Sequence, residues 1–263
     1  QAEFQTQGFN APALIRGCAR EGMVSGMDVE SQFHGVSAEQ VRLGFVRKVY
    51  GIVCTQVTAT ALFAALCCEG PLHAPIMRFA MTSPRLLQWG SLIATLLAFV
   101  MCRVGKDRYP LNMVGLSFLT AVMALDVGVV CAMVTAAGLG ALVVQAAVIT
   151  SLLTLGLTLY TFKSKRNFSF LGAALWPLLF GLVIFNLLSI FFPSLRMGWM
   201  GLLAAFAGAG IFCAYIVFDT WRILKELNCD DYVEGAIQLY LDIVNLFLYI
   251  LEIMVKIAGS NRN

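Results

Sequence analysis

Charge is scarce in this 263-residue sequence: Asp, Glu, Lys and Arg make up 13% of it, against about 25% in an ordinary soluble domain. That deficit excludes a water-solvated surface of normal composition. Histidine is nearly missing, and neither His34 nor His73 stands in a metal-ligand spacing. The eight cysteines form no CxxC, which removes the usual zinc and dithiol signatures. Cys54, Cys67, Cys68, Cys102, Cys131 and Cys213 lie in or at the edges of apolar stretches and read as small buried hydrophobes. A phosphate-binding loop, GxSxG and HExxH are also lacking, so the sequence offers no enzyme signature and asks for no cofactor. The net charge of +3 is modest and scattered, and makes no case for nucleic acid.

What is present is apolar. Hydrophobic residues make up 59% of the chain and its mean hydropathy is +0.81. Stretches long enough to cross a bilayer follow one another almost without interruption. They run at Val49 to Cys68, Leu86 to Cys102, Leu111 to Val134, Leu139 to Phe162, Phe168 to Phe192, Met197 to Trp221 and Gly235 to Ile257. The expected fold is therefore all-α, a polytopic membrane protein of seven transmembrane helices. Gly70-Pro71, Pro75, Lys106 to Pro110, Gly138, KSKRN and Pro193 punctuate the breaks. Residues 1–46 are mixed in composition and are expected to form an extramembrane amino-terminal arm, followed by a transmembrane domain over 47–263. A Ser37 to Gln40 capping box starts a helix that leads inward through Arg42, Arg47 and Lys48. The first residue is Gln rather than Met, which leaves a removed segment ahead of it open.

Basic residues set the expected orientation, because Lys and Arg collect in cytosolic loops. Thirteen of the eighteen fall in the arm and in the loops after the second, fourth and sixth spans. The amino terminus is accordingly expected on the cytosolic side, with the carboxyl terminus across the membrane if the seventh span crosses. Lys256 and Arg262 weigh mildly against a full seventh crossing.

Three aspartates lie within spans, where an insertion scale charges about 2.5–3.5 kcal/mol for a central Asp. Asp126 is midway along the third, Asp219 a turn from the end of the sixth, and Asp242 two turns into the seventh. The short loop between the last two spans makes them antiparallel, which brings Asp219 and Asp242 to similar depth. Two carboxylates in one low-dielectric site cannot readily both ionise, so the pair is expected to share a proton and titrate as a unit. Gln238, Asp242, Asn245, Tyr249 and Glu252 fall at helical spacing on one face of the seventh span. Gly201, Ala205 and Gly208 give the sixth a small-residue face for close approach, which Tyr215, Asp219 and Arg222 continue. The plainer alternative is that Arg222 pairs Asp219, that Asp242 bonds a neighbouring helix, and that Asp126 is a neutral, bonded acid. Asn186 and the row Ser151, Thr154, Thr158 read as packing contacts.

At the carboxyl end, FDTWRILKELNCDDYVEGAIQLYLDIVNLFLYILEIM resembles the transmembrane Bax inhibitor motif family, which includes Bax inhibitor and Lifeguard proteins. The likeness extends to RLGFVRKVYG, LTLYTFKSKRNFSFLGAAL and AYIVFDT, and covers nearly everything after residue 37. It implies a central seventh helix wrapped by the others, and a pH-sensitive calcium leak across an internal membrane that bears on calcium homeostasis and cell death. The acids ending the FDT and LYLD motifs, the family's pH-sensing pair, match Asp219 and Asp242. An arginine near the end of the second span latches the pair in bacterial members, and Arg103 lies near that place. Some eukaryotic members have a third-span acid that would fall near Met123, with Asp126 one turn away. Asn167 stands where the 4/5 loop commonly has an acid.

The resulting expectation is a calcium leak channel with Asp219, Asp242, Asp126 and Arg103 on the ion path, and Gln238, Asn245, Tyr249 and Glu252 as its supporting polar face. Calcium enters as the transported ion, near Asp219 and Asp242, and protons and membrane lipids are the other expected partners. A non-conducting structural or regulatory subunit of a larger membrane complex, and a proton/calcium exchanger, are the alternatives, and cell-death regulators are candidate partners. The expected location is an internal membrane: endoplasmic reticulum, Golgi or mitochondrial inner membrane.

Overall fold

The computed structural model describes residues 38–105 and 110–260, and every regular element among them is helical. Helix α1 (Ala38–Cys68) is followed by a short α2 (His73–Thr82), then α3 (Pro84–Val104), α4 (Leu111–Ala136) and α5 (Gly140–Lys163). Helix α6 (Ser169–Phe191) leads through a 3-10 turn (Pro193–Arg196) into α7 (Gly198–Lys225), and α8 (Tyr232–Ser260) ends the described chain. Ser37 of the proposed capping box and all but the last nine residues of the arm lie outside the described residues.

Each long helix coincides with one expected span to within a few residues, except that α1 begins at Ala38 and carries Arg42, Arg47 and Lys48 on the same continuous helix. Helix α2 was not anticipated, because Pro75 and the preceding Gly70-Pro71 read as a break; Pro75 sits in its first turn, where a missing amide costs nothing. The α4–α5 turn is tight because Gly138 takes φ +76°, a conformation glycine adopts freely.

Among the described residues six helices, α1, α3, α4, α5, α6 and α7, are long and apolar enough to cross a membrane. The chain is an integral membrane protein. The difference from the expected seven lies in α8, which carries Glu234, Asp242, Glu252 and Lys256. At 29 residues and about 1.5 Å per residue, it is still longer than the roughly 30 Å of hydrocarbon. It tolerates those groups because it is the central helix: it packs on α7, α1, α5 and α4, and none of its residues from Val233 to Lys256 is exposed. Leu239, Tyr240 and Leu246 are fully buried. By contrast, Leu96 on α3, Leu152 on α5 and Trp176 and Phe180 on α6 are well exposed, as side chains solvated by lipid should be.

The seam between α7 and α8 is close because α7 presents Gly201, Ala205 and Gly208 to it, all buried. A Cβ at Gly208 would come within 2.6 Å of the Tyr249 ring. Gly208→Val should therefore lower the unfolding temperature in detergent, since overpacking costs about 1–3 kcal/mol. Gly210→Ala, where a Cβ meets nothing within 4 Å, should instead be neutral or stabilising by up to about 1 kcal/mol. Equal effects of the two would show that the seam is loosely packed.

Candidate functional site: a buried carboxyl pair

The site lies where the carboxyl end of α7 meets the amino end of α8. Six residues, 226–231, separate the end of α7 at Lys225 from the start of α8 at Tyr232, so the helices run antiparallel. Helix α1 secures this end. The Arg42 guanidinium donates to the Leu224 carbonyl (3.0 Å), the Arg222 carbonyl (3.5 Å) and the Leu227 carbonyl. It thus satisfies carbonyls that a helix end leaves free, and opposes the negative end of the helix dipole. Lys48 places its ammonium 3.2 Å from the centre of the Tyr232 ring, and the Tyr50 hydroxyl lies 3.3 Å from that of the fully buried Thr220.

Inside this anchored corner, Asp219 and Asp242 are each 5% exposed and their carboxyl groups lie within hydrogen-bonding reach of each other. A carboxylate only accepts, so that contact needs a proton between the two acids. The other Asp242 oxygen, Oδ2, is buried without a partner. On the outer side, Arg222 Nη1 lies 3.4 Å from Asp219 Oδ1 and donates to Gln238 Oε1 at 2.8 Å. The same guanidinium is 3.7 Å from both Glu226 and Glu234, and it rests against the Phe218 ring. One cation therefore ties the pair to a polar rim.

The polar face of α8 continues from there. Asn245 donates to its own helix at Leu241 (2.8 Å). The Tyr249 hydroxyl accepts from Asn186 of α6 (2.9 Å), and its ring stacks on Phe212 with centroids 5.8 Å apart. At the far end, Glu252 accepts from Arg196 of the 3-10 turn (3.2 Å) and pairs with Lys256 (3.0 Å), whose ammonium also donates to the Arg196 carbonyl. The stripe thus ends in an ionic cluster at each side of the bundle, with the Phe212–Tyr249 stack between them.

Asp126 and Arg103 are not brought to this seam. Asp126 is half-buried on α4 and bonds Ser91 of α3, while Met123 one turn earlier is among the α4 residues in the core. Arg103 is exposed at the end of α3, a helix that packs on α4 and α2. The arginine beside the acids is Arg222, whose i,i+3 spacing from Asp219 was legible. The capping role of Arg42 and the reach of Arg196 to Glu252 were not, because both depend on tertiary placement. Among the described residues no group of three or more His, Cys, Asp or Glu is arranged to hold a metal ion.

A polytopic helical membrane protein whose central helix shares a buried carboxyl pair with its antiparallel neighbour is the class this geometry defines. Comparison with known proteins supplies the family. The profile described as "Inhibitor of apoptosis-promoting Bax1" matches residues 42–260, and the chain belongs to that Bax inhibitor family. It is 39% identical over 226 residues to "Protein LIFEGUARD 4" of Arabidopsis thaliana, covering 83% of this chain and 87% of that protein. It is 36% identical over 218 residues to the "BI1-like protein" of the same plant, covering 82% and 81%. The "Golgi anti-apoptotic protein" of Vaccinia virus (strain Lister) is 34% identical over 214 residues, covering 81% and 86%.

Replacing Arg222 with Gln should destabilise the fold at neutral pH by about 1.5–3 kcal/mol, the range for hydrogen bonds to charged groups. The sign follows from linkage: a cation stabilises a carboxylate only while it is ionised, so the gap between wild type and variant should shrink as acidification neutralises the acids. Thermal unfolding in detergent across pH measures it, and a gap that does not change with pH would remove Arg222 as their counter-charge.

Proposed function

We propose that this chain is an anti-apoptotic membrane protein that leaks calcium in a pH-dependent manner across an internal membrane. The observation that carries the reading is the buried pair Asp219 and Asp242, within hydrogen-bonding reach of each other at the α7–α8 seam. With one proton shared, the pair holds the two helices together; ionising both places like charges side by side in a low-dielectric site and drives them apart. The path then runs along the polar face of α8, where the Phe212–Tyr249 stack over Gly208 would obstruct it. Calcium prefers six to eight oxygen ligands, so two carboxyl groups beside an arginine suit brief passage better than storage. The names of the Lifeguard and Golgi anti-apoptotic relatives support the cell-death role, and the viral relative favours the Golgi as the membrane.

Full-length protein in liposomes loaded with a calcium indicator tests this. Wild type should pass calcium at a rate that changes with pH, and Asp219→Asn with Asp242→Asn should abolish that dependence. Tyr249→Ala should raise the resting flux while leaving the pH response in place. Flux and pH response untouched by the double substitution would end the mechanism. No flux at any pH, with stoichiometric co-purification of a larger membrane assembly, would favour a non-conducting subunit, and uptake driven by a proton gradient would favour exchange.

A further inference from the structure

A cavity of about 450 Å³ lies on the side of α8 away from the carboxyl pair. At about 3.6 residues per turn, Ile243, Val244 and Phe247, which line it, fall on the face opposite Asp242, Asn245 and Tyr249. The volume is within the range of roughly 300–1,000 Å³ typical of small-molecule sites. Its walls are the second half of α1 and the first half of α5. Both walls are faced by small residues, Ala61, Ala64 and Ala65 on one and Gly140, Ala147 and Ser151 on the other. Such faces normally let helices close on each other. Here α1 and α5 each pack on α8 and α4 and meet each other through the Tyr50 and Phe162 rings, 5.9 Å apart, at the far ends from the crevice, while Ala61, Ala65 and Ala147 are exposed along the opening. The crevice is therefore open sideways, toward the lipid.

Its chemistry is amphiphilic along its length. Deep inside, the lining hydroxyls are already engaged: Thr60 with the Gln56 carbonyl and the Tyr240 hydroxyl, Thr150 with Ala146, and Ser151 with Ala147. An interior without free polar groups suits an apolar occupant better than water. At the mouth stands Glu69, the one carboxylate of the lining, with no Lys, Arg or His among the lining residues. Helices α1 and α4 end there, at Cys68 and Ala136, and α5 begins there, at Gly140, so the negative ends of two dipoles are partly offset by the positive end of one and the charge of Glu69 decides the sign. From Glu69 to Val57 the α1 wall rises about 18 Å at 1.5 Å per residue, roughly half the 30 Å hydrocarbon thickness and so the depth of one leaflet.

We infer that this crevice is a binding site for a membrane lipid with a free ammonium head group, its hydrocarbon tail lying between α1 and α5 and its head at Glu69. A tail fills the gap that keeps the two small-residue faces apart, and the ammonium group meets the only charged lining residue. The assignment does not rest on the carboxyl pair or on any conduction.

The test uses full-length protein in phosphatidylcholine nanodiscs and a diazirine-bearing tetradecylamine, with crosslinked peptides mapped by mass spectrometry. Labelling should concentrate on the second half of α1 and the first half of α5. Unlabelled tetradecylamine should compete, and myristate, of equal chain length but opposite charge, should compete about fivefold to tenfold less well, as a single head-group charge contact allows. Glu69→Gln should erase that preference while the tail still binds. Ala61→Phe with Ala147→Phe, verified as folded by an unfolding temperature near that of wild type, should abolish the labelling. Labels spread evenly over the lipid-facing helices, equal competition by myristate in wild type, or labelling unaffected by filling the crevice would each overturn the assignment. Calcium flux is not part of the readout, so failure here leaves the channel reading standing, and the reverse also holds.

Discussion

Two like-signed groups buried side by side govern the layout of this bundle. Each aspartate alone costs about 2.5–3.5 kcal/mol in a membrane span, and a second one nearby adds repulsion unless a proton lies between them. That arrangement works only where the helices approach closely, meet at matching depth and stay in register. Gly201, Ala205 and Gly208 supply the approach, and the short α7–α8 loop supplies the depth. Register comes from α1, which holds the α7 end with Arg42 and the start of α8 with Lys48. Arg222 completes the corner by giving Asp219 a counter-charge at the rim.

The same corner gathers the segments by which the family was recognised. RLGFVRKVYG supplies Arg42, Lys48 and Tyr50, and the FDTWRILKEL segment supplies Asp219, Thr220 and Arg222. The 4/5 loop segment supplies Phe168, which packs with Val217 and Trp221, and Gly172, whose missing Cβ makes room for the Phe218 ring. Segments far apart in the chain thus build one piece of packing around one helix end. The opposite end of α8 is organised differently, by Arg196, Glu252 and Lys256, exposed or partly exposed groups whose ion pairs contribute less.

Much of this was legible in the chain and some was not, for physical reasons. Long apolar runs reveal their helices directly because lipid leaves the backbone no other partner than itself. The meeting of Asp219 and Asp242 follows from a short loop and a depth argument, and the stripe from Gln238 to Glu252 follows from helical spacing. Asp126 shows where that reasoning stops. Its depth is visible in the sequence, but its direction is set by which face of α4 turns toward α3, and there it bonds Ser91. With α4 apolar nearly all round, periodicity carries no signal for that rotation. Arg103 fails similarly: proximity in the chain to the second span's end says nothing of which neighbours that span packs on.

Helix α8 is the element on which both readings converge, because its two faces do different things. One face carries the carboxyl pair and the polar stripe against α7, and the other, through Ile243, Val244 and Phe247, forms the floor of the lipid-facing crevice. A tilt of α8 that parts Asp242 from Asp219 necessarily moves that floor toward α1 and α5. A lipid tail lying between those helices opposes the movement, and an empty crevice permits it. By linkage the opposition is mutual: whatever free energy the occupant adds to the latched arrangement, the latched arrangement adds to the occupant's affinity. If both proposals hold, a central helix with a titrating face and a lipid-filled face would respond to proton concentration and to the composition of the surrounding leaflet, with no contact required between the two sites.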